Sequence, residues 1–422
     1  MTMRVRAVLM LTVALALMGL ASCDHYTCTS GATFGSSSCT ATGSGLGSGT
    51  GGSATAAFAF DVDEAGTIDG YTLNTTAGTF EATSGYTAPT VPTNNGGVGM
   101  VVAQAKYLYA GFGDVGELYG WTIDSTGVLT AIGGSPFSAP FLADYVTGVG
   151  ETNMIVNPAG TYLYFAATGV DEIYAFQIGN GGALTAVAGS PFSATFPLGG
   201  GPMNLAIDGL GKYLYASNGN YSSHTATQVL TYSIGSGGAL TPVGTVLDSP
   251  MWLLKGEPTG KFMIGTSGNA VVDSGIDDDH LYVFSIGSTG ALTEVAGSPF
   301  ATEFSPFSIA VQSNAGGNLV YSFSFNDTAT AFNGVEGYEI TSTGTLSAVS
   351  GSPFTGVAEG SWGQFDQSGA FLLVYASYVP EGTGSVITQL GPDEVGSAGL
   401  LTQPISTLTL ATPGFWVVTD PQ

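Results

Sequence analysis

The stretch LYVFSIGSTGALTEVAGSPF, residues 281–300, recurs in imperfect copies along most of the 422-residue chain. Its first half alternates apolar and polar residues, which predicts a half-buried β-strand. Gly290 then leads into a second short apolar segment, and a glycine turn between two such segments is typical of a β-hairpin. The stretch ends in Ser-Pro-Phe, where the proline predicts the end of the second strand.

The hairpin turn has the pattern Gly-x-Leu or Gly-x-Phe, and it occurs seven times at intervals of 49 to 56 residues. The turn glycines are Gly78, Gly127, Gly182, Gly238, Gly290, Gly344 and Gly399. Repeats of this length made of short strands are typical of a propeller or a solenoid. Because no long segment keeps apolar residues at a spacing of three to four, helices are not expected.

Each repeat divides into four predicted strands, which in the fourth repeat are residues 204–208, 213–217, 230–234 and 240–243. The first repeat has only three, residues 56–61, 67–73 and 79–83. Residues 415–419 match the innermost strands of other repeats and supply the missing one. This offset predicts a closed ring, so the fold class is an all-β, seven-bladed propeller of four-stranded antiparallel blades, closed by the C-terminal strand.

The Ser-Pro-Phe element recurs with Phe137, Phe192, Phe300 and Phe354. A proline costs no ladder hydrogen bond where the outermost strand ends, so the element is predicted at the crossing between blades. The phenylalanine is expected to fill the space between neighbouring blades.

The segment Lys212-Tyr213-Leu214-Tyr215-Ala216-Ser217-Asn218, followed by a GALT turn, and the repeated GSPF exits resemble a known family. They are similar to the seven-bladed lactonase-type propellers, including 6-phosphogluconolactonase, and to the Tyr-Val-Thr-Asn repeat proteins, over residues 56–420. The resemblance implies a Gly-Pro-Arg-His motif whose arginine binds the acid or phosphate and whose histidine lies near the reacting centre. The matching residues here are Gly201-Pro202-Met203-Asn204, and no arginine follows residue 6. The family's usual anion site is therefore not expected.

Residues 1–22 combine a short basic start with an apolar segment, which predicts a signal peptide. The residues LASC before and at Cys23 resemble a bacterial lipobox, which implies cleavage before Cys23 and its lipidation; the alternative is an ordinary secretory signal. Residues 23–55 are predicted to form a Gly/Ser/Thr-rich tether, and residues 56–422 the propeller. Cys28 and Cys39 either form a disulfide or remain free thiols.

Removal of the signal peptide leaves four lysines against 31 acidic residues. A chain of that charge is not expected to bind nucleic acid, and it is expected to contact a membrane only through its lipid. We expect a monomer, anchored to the periplasmic side of a bacterial membrane or to the cell surface. The expected partner is an unidentified protein or a neutral saccharide.

The antiparallel blade predicts two unlike faces. The first-to-second turns are short, as at residues 157–160, 208–211 and 257–260. The second-to-third connections and the crossings between blades are long, as at residues 138–152, 218–228, 265–279 and 325–335. We call these the turn face and the loop face, and we expect function on the loop face.

The loop face carries three sets of candidate site residues. The acidic loop with Asp273, Asp277, Asp278 and Asp279 is either a Ca²⁺ site or a solvated loop. His224 and His280 are candidate general bases, or surface histidines beside acids. The candidate ligand-binding residues are Tyr145, Glu151, Asn204, Trp252 and Trp362, with core packing as the alternative for the aromatic ones.

These observations favour a lipid-anchored, extracytoplasmic propeller that acts as a ligand-binding or protein-interaction scaffold. The alternative is a lactone hydrolase that keeps the fold of the family with a divergent site, lacking its arginine and histidine.

Overall fold

A computed structural model gives the fold of the chain. The residues that it describes are 27–28, 57–63, 66–74, 79–89, 91, 97–112, 117–139, 153–218, 227–249, 251–267, 279–314, 317–324, 334–354, 362–366, 369–380, 387–396, 398–402, 408–410 and 414–418. These residues form seven β-sheets.

The strands of the first half follow the repeat. A short strand, β1 (Thr27–Cys28), precedes the blades and pairs in parallel with residues 379–380, although it lies within the segment predicted to be a tether. Blade 1 contains β2 (Ala57–Asp63), β3 (Ile68–Asn74) and β4 (Thr79–Ala82). Blade 2 contains β5 (Gly97–Ala103), β6 (Tyr107–Phe112), β7 (Glu117–Ile123), β8 (Leu129–Ala131) and β9 (Phe137–Ser138). Blade 3 contains β10 (Met154–Val156), β11 (Tyr162–Ala167), β12 (Glu172–Ile178), β13 (Leu184–Ala186) and β14 (Phe192–Ser193), with a 3-10 turn at Thr168–Val170.

The second half continues in the same order. Blade 4 contains β15 (Asn204–Ile207), β16 (Tyr213–Ser217), β17 (Gln228–Ile234) and β18 (Leu240–Asp248). Blade 5 contains β19 (Leu253–Gly256), β20 (Phe262–Thr266), β21 (His280–Ile286), β22 (Leu292–Glu294) and β23 (Phe300–Ala301). Blade 6 contains β24 (Pro306–Asn314), β25 (Gly317–Ser324), β26 (Val335–Ile340) and β27 (Leu346–Ala348). Blade 7 contains β28 (Trp362–Phe365), β29 (Phe371–Pro380), β30 (Ile387–Val395), β31 (Leu401–Thr402) and β32 (Leu408–Leu410), and the last strand is β33 (Gly414–Val418).

The ring closes as the sequence predicts. Strand β33 pairs antiparallel with β2, with Trp416 opposite Asp61, and so completes blade 1 as its innermost strand. The innermost strands lie against one another in the order β5, β10, β15, β19, β24, β28 and β33, and β33 lies against β5 again. The predicted all-β propeller with four-stranded antiparallel blades is confirmed.

Tyrosines on the second strands join each blade to the next. Tyr109, Tyr164, Tyr215 and Tyr321 are buried, and each donates a hydrogen bond to the carbonyl of a turn glycine in the following blade, at 2.5 to 3.0 Å. The turn glycine itself has a positive φ, +89° at Gly290, and a Cβ there would contact the ring of Tyr213. The repeated glycine is therefore required both by the backbone conformation and by the ring of the preceding blade.

The Ser-Pro-Phe elements do more than end the fourth strand. The serine hydroxyl accepts a hydrogen bond from a third-strand N–H, as from Val283 to Ser298 Oγ at 3.0 Å. The phenylalanine then pairs with the beginning of the third strand, as Phe300 does with Leu281, so three of the elements form a short additional strand. Phe300 also packs in the cluster of apolar residues from blades 5 and 6, as the sequence predicts.

Among the described residues, no helix has the length and apolar character needed to cross a membrane.

Candidate functional site

The loop face is formed by the beginnings of the innermost strands and of the third strands. Strand pairing places both there, because the first and third strands of an antiparallel blade run in the same direction. Most of the long loops of this face, residues 140–152, 219–226, 268–278 and 325–333, lie outside the described residues. With them lie Tyr145, Glu151, His224, Asp273, Asp277 and Asp278, whose predicted roles stay predictions.

Asn204 lies at the beginning of β15 and is only 2% exposed. Its side-chain amide donates to the Trp252 carbonyl of the next blade at 3.0 Å, and the Ser217 hydroxyl donates to the same carbonyl at 3.3 Å. The residue that stands where the family has histidine thus links blades 4 and 5. An amide performs this link without a titratable proton.

The first half of the family motif is retained for a reason of packing. A Cβ on Gly201 would collide with the Thr168 carbonyl and lie 2.7 Å from the Asp171 carboxylate, so only glycine fits. The Thr168 hydroxyl also donates to the Pro202 carbonyl at 2.7 Å. Gly201 and Pro202 therefore join the blade 3 loop to the beginning of blade 4. This contact does not require the arginine and histidine that follow Gly-Pro in the family motif.

Three aromatic side chains lie side by side at the beginnings of the innermost strands of blades 5, 6 and 7. We call Trp252, Phe307 and Trp362 the aromatic arc. The ring centroids of Trp252 and Phe307 are 6.3 Å apart, and those of Phe307 and Trp362 are 4.9 Å apart with the rings edge to face. Trp252 is 2% exposed, whereas Phe307 and Trp362 are partly exposed.

Sequence reasoning singled out the two tryptophans but missed Phe307. The signal was available, because SPMW, SPFS and GSWG occupy the same part of three consecutive repeats and each holds an aromatic residue. What the sequence does not reveal is the register of β24, in which Pro306 pairs with Ser324 and Ser308 with Phe323. Phe307 is the extra residue of a β-bulge, a feature that redirects a side chain.

His280 occupies a position that the blades share. It pairs with Ala301, the residue after the Ser-Pro-Phe phenylalanine, as Glu117 pairs with Ser138 and Glu172 with Ser193. A partly buried histidine thus replaces a glutamate on the loop face. Asp279 beside it is exposed, and among the described residues no group of three or more histidine, cysteine and acidic side chains is arranged to hold a metal.

Glu336 is a buried carboxylate of this face, at 4% exposure. Its oxygens accept hydrogen bonds from Glu303 N–H at 2.8 Å, from Phe304 N–H at 3.3 Å and from the Tyr338 hydroxyl at 2.7 Å. Burial raises the pKa of the Glu336 carboxyl, and these hydrogen bonds oppose that rise. Glu336 thereby holds the crossing from blade 5 to blade 6, which leads to Phe307.

The positive charges lie on the opposite face. Lys106, Lys212 and Lys261 are in or beside first-to-second turns, where Lys212 N–H donates to Asp208 and Lys261 N–H to Glu257. Lys255 is next to last in β19, near the same face. Since the chain has no other lysine and its two arginines are at residues 4 and 6, the propeller supplies no lysine or arginine to its loop face.

Comparison with known proteins agrees with this architecture. Residues 153–346 match the lactonase family described as a seven-bladed β-propeller. Among solved structures, the periplasmic gluconolactonase of Pseudomonas aeruginosa is 16% identical with a TM-score of 0.62, covering 87% of this chain and 100% of that one. A proposed 6-phosphogluconolactonase from Bacteroides fragilis is 17% identical with a TM-score of 0.59, covering 87% and 98%. A protein from Lactobacillus plantarum is 16% identical with a TM-score of 0.58, covering 84% and 99%.

No curated protein sequence matches the chain. At these identities the structural likeness shows the fold, and the family match covers blades 3 to 5 and most of blade 6. The resemblance of this chain to the seven-bladed β-propeller lactonases is therefore confirmed.

Proposed function

We propose that the protein is an extracytoplasmic lactone hydrolase whose site lies on the loop face. The observation that carries the proposal is the family match over residues 153–346, the region that contains Asn204, Trp252, Phe307 and His280. The likeness in fold to a periplasmic gluconolactonase supports it. Of the two functions that the sequence suggests, the hydrolase accords with these findings better than the scaffold does.

Lactone hydrolysis joins a water oxygen to the acyl carbon and breaks the bond from that carbon to the ring oxygen, which leaves as a hydroxyl. The water must lose a proton and the ring oxygen must gain one, so a site needs a group that carries protons. With Asn204 in place of the family histidine, His280 and the predicted candidate His224 are the imidazoles available to the loop face. We assign them the proton-carrying role in this proposal.

A propeller that binds its ligand without turnover is the second candidate. It is favoured by one observation, the replacement of both polar members of the family motif by Met203 and Asn204. The side-chain amide of Asn204 donates to the Trp252 carbonyl of blade 5, so Asn204 does not serve as a general base.

The hydrolase proposal is tested with the purified full chain and D-glucono-1,5-lactone, with acid release followed in a pH-stat. We expect turnover above the uncatalysed rate, and a loss of about 100-fold or more in kcat for His280→Gln or His224→Gln, in the range usual for general acid–base catalysis. His25→Gln, in the predicted tether, is the matched control and should have no effect. Addition of Ca²⁺ or of a chelator tests the predicted calcium site separately.

Absence of turnover together with calorimetric binding of the lactone's stable lactam analogue would support the second candidate. Turnover that survives in both histidine variants would keep the hydrolase but contradict the assignment of its proton carriers.

The anchor is proposed on the sequence of the N-terminus alone. If Cys23 carries lipid, Cys23→Ser should move the protein from the membrane fraction to the soluble fraction and abolish incorporation of labelled palmitate. Cys28→Ser is the control, and unchanged labelling of Cys23→Ser would contradict the proposal.

A further inference from the structure

The beginnings of the seven innermost strands are not alike on the loop face. On one side of the ring, blades 3 and 4 present the buried amides of Asn153 and Asn204. On the other side, blades 5 to 7 present the aromatic arc. Among the described innermost strands of blades 3 to 7, the aromatic rings therefore lie on the side of blades 5 to 7.

Core packing accounts for part of this arc. Trp252 is buried and belongs to the apolar cluster of blades 5 and 6. Phe307 is different, because it is the extra residue of a bulge and remains partly exposed between the other two rings. Bulges are common beside binding sites, where they direct a side chain out of the regular alternation.

Trp362 is the first residue of β28 and is also partly exposed. The residue after it, Gly363, allows the Phe323 ring to pack so closely that any Cβ at Gly363 would collide with it. The backbone beneath Trp362 is therefore fixed by packing. A rigid backbone below a partly exposed ring gives a surface that loses little entropy when a ligand binds.

The charges of the same face select against anionic ligands. Its described acidic groups include Glu117, Asp171, Glu172, Asp279 and Glu303, whereas all four lysines are on or near the turn face. A phosphate or carboxylate on the ligand would find no guanidinium or ammonium group there, and it would be repelled by the carboxylates.

We propose that the aromatic arc binds an uncharged sugar-like lactone, whose ring stacks on Phe307 and Trp362. The C–H groups of such a ring carry slight positive charge and are attracted to the negative face of an aromatic ring. Its hydroxyl groups are free to donate to the carboxylates of the same face. That the ligand is a lactone rests on the proposed function, whereas the stacking and the lack of ligand charge rest on the arc and on the placement of the lysines.

The test is isothermal calorimetry of the full chain with two probes, D-glucono-1,5-lactam, which is not hydrolysed, and its 6-phosphate. We expect the uncharged lactam to bind, and the 6-phosphate to bind at least tenfold more weakly. Phe307→Leu and Trp362→Leu should each weaken lactam binding about tenfold. Tyr282→Leu is the matched control, because Tyr282 is a partly exposed ring in blade 5 that stacks on Phe284 and packs in a different apolar cluster from Trp252. It should change affinity less than twofold.

Circular dichroism checks the fold of each variant. If Phe307→Leu does not fold, Phe307→Tyr replaces it, and because this variant keeps an aromatic ring its affinity for the lactam should stay within about threefold of wild type. The inference is overturned if wild type does not bind the lactam, if the 6-phosphate binds as tightly, or if the folded leucine variants bind like wild type. If the leucine variants hydrolyse the lactone as fast as wild type does, the proposed hydrolase function stands and the proposed binding at the aromatic arc is wrong. If lactam binding depends on the arc but no lactone is hydrolysed, the arc binds the ligand and the proposed hydrolase function is wrong.

Discussion

Single residues in this propeller serve two blades at once, and Gly290 is the clearest case. Its φ of +89° favours glycine, and a Cβ would press on the Tyr213 ring of the previous blade. Gly181, in the equivalent turn of blade 3, has a φ of +88°, but a Cβ there would meet no atom within 4 Å. Substituting each glycine by alanine therefore separates the free-energy cost of the left-handed backbone from that of the contact with Tyr213.

We expect Gly181→Ala to lower the free energy of unfolding by about 1–2 kcal/mol, the cost of a left-handed backbone. Gly290→Ala should cost about 1–3 kcal/mol more, because the methyl group overpacks the joint between blades. Urea unfolding measures both. Equal losses in the two variants would show that the contact with Tyr213 contributes nothing.

The tyrosine hydroxyls offer a second comparison at this scale. Tyr215 donates to the Gly290 carbonyl at 3.0 Å in the buried interior, and Tyr213 donates to the Ser288 carbonyl at 2.7 Å where water has access. Tyr215→Phe should cost about 1–3 kcal/mol, since it leaves a buried carbonyl unsatisfied. Tyr213→Phe should cost less than about 1 kcal/mol, because water replaces the hydroxyl. A larger loss for Tyr213→Phe in thermal or urea unfolding would contradict the assignment.

Glu336 gives a prediction about pH. Burial raises the pKa of its carboxyl above the usual 4.5. At pH values between the unfolded-state and folded-state pKa, the folded protein therefore binds more protons than the unfolded chain does. Its contribution to stability is complete below the unfolded-state pKa and is lost as pH rises through the folded-state pKa. Between pH 4 and pH 7, wild-type Tm should therefore fall relative to that of Glu336→Gln. Exposed Glu294→Gln is the control, and a constant difference in Tm between wild type and Glu336→Gln would contradict the pKa direction.

At the scale of elements, much of the fold could be predicted from the sequence. The seven glycine turns and the unmatched strand near residue 416 were sufficient for the ring and its closure, because spacing and alternation record which segments form strands. The short strands such as β23 are not predicted, because a strand of two residues is too short to show the alternation of apolar and polar residues. The bulge at Phe307 was missed for a related reason, as register depends on the partner strand.

The candidate site could be predicted less well. The loop face follows from strand parity, and the sequence identifies Trp252 and Trp362 as aromatic residues near inner strands. The role of Asn204 could not be inferred, because its partner is the Trp252 carbonyl, 48 residues away in the next blade. Nothing local in the sequence identifies such a contact, whereas the replacement of arginine and histidine was visible at once.

Strand β33 carries the closure of the ring, and this can be tested by truncation. Removal of residues 414–422 should leave β2 with an unpaired edge and convert one cooperative unfolding transition into a broader one at lower temperature. Removal of residues 419–422 alone keeps β33 and is the control. Calorimetric transitions of equal width and midpoint for the two truncated chains would contradict closure by β33.

At the scale of the whole molecule, the two faces of the propeller differ in charge and in chemistry. The turn face holds the lysines, and buried Asp208 and Glu257 order its turns by accepting backbone N–H groups, as Glu257 does from Phe262 at 3.1 Å. The loop face holds carboxylates, His280 and the aromatic arc. This separation is consistent with the proposed binding of an uncharged ligand at the loop face.

The central claim is that the loop face hydrolyses an uncharged lactone, and the most direct measurement is a ratio of two rate constants. The full chain is assayed with D-glucono-1,5-lactone and with the corresponding 6-phospholactone under the same conditions, and kcat/KM is compared. We predict a ratio of at least tenfold in favour of the uncharged lactone, because no cation meets the phosphate. Equal or faster turnover of the 6-phospholactone, or turnover of neither, would contradict the account.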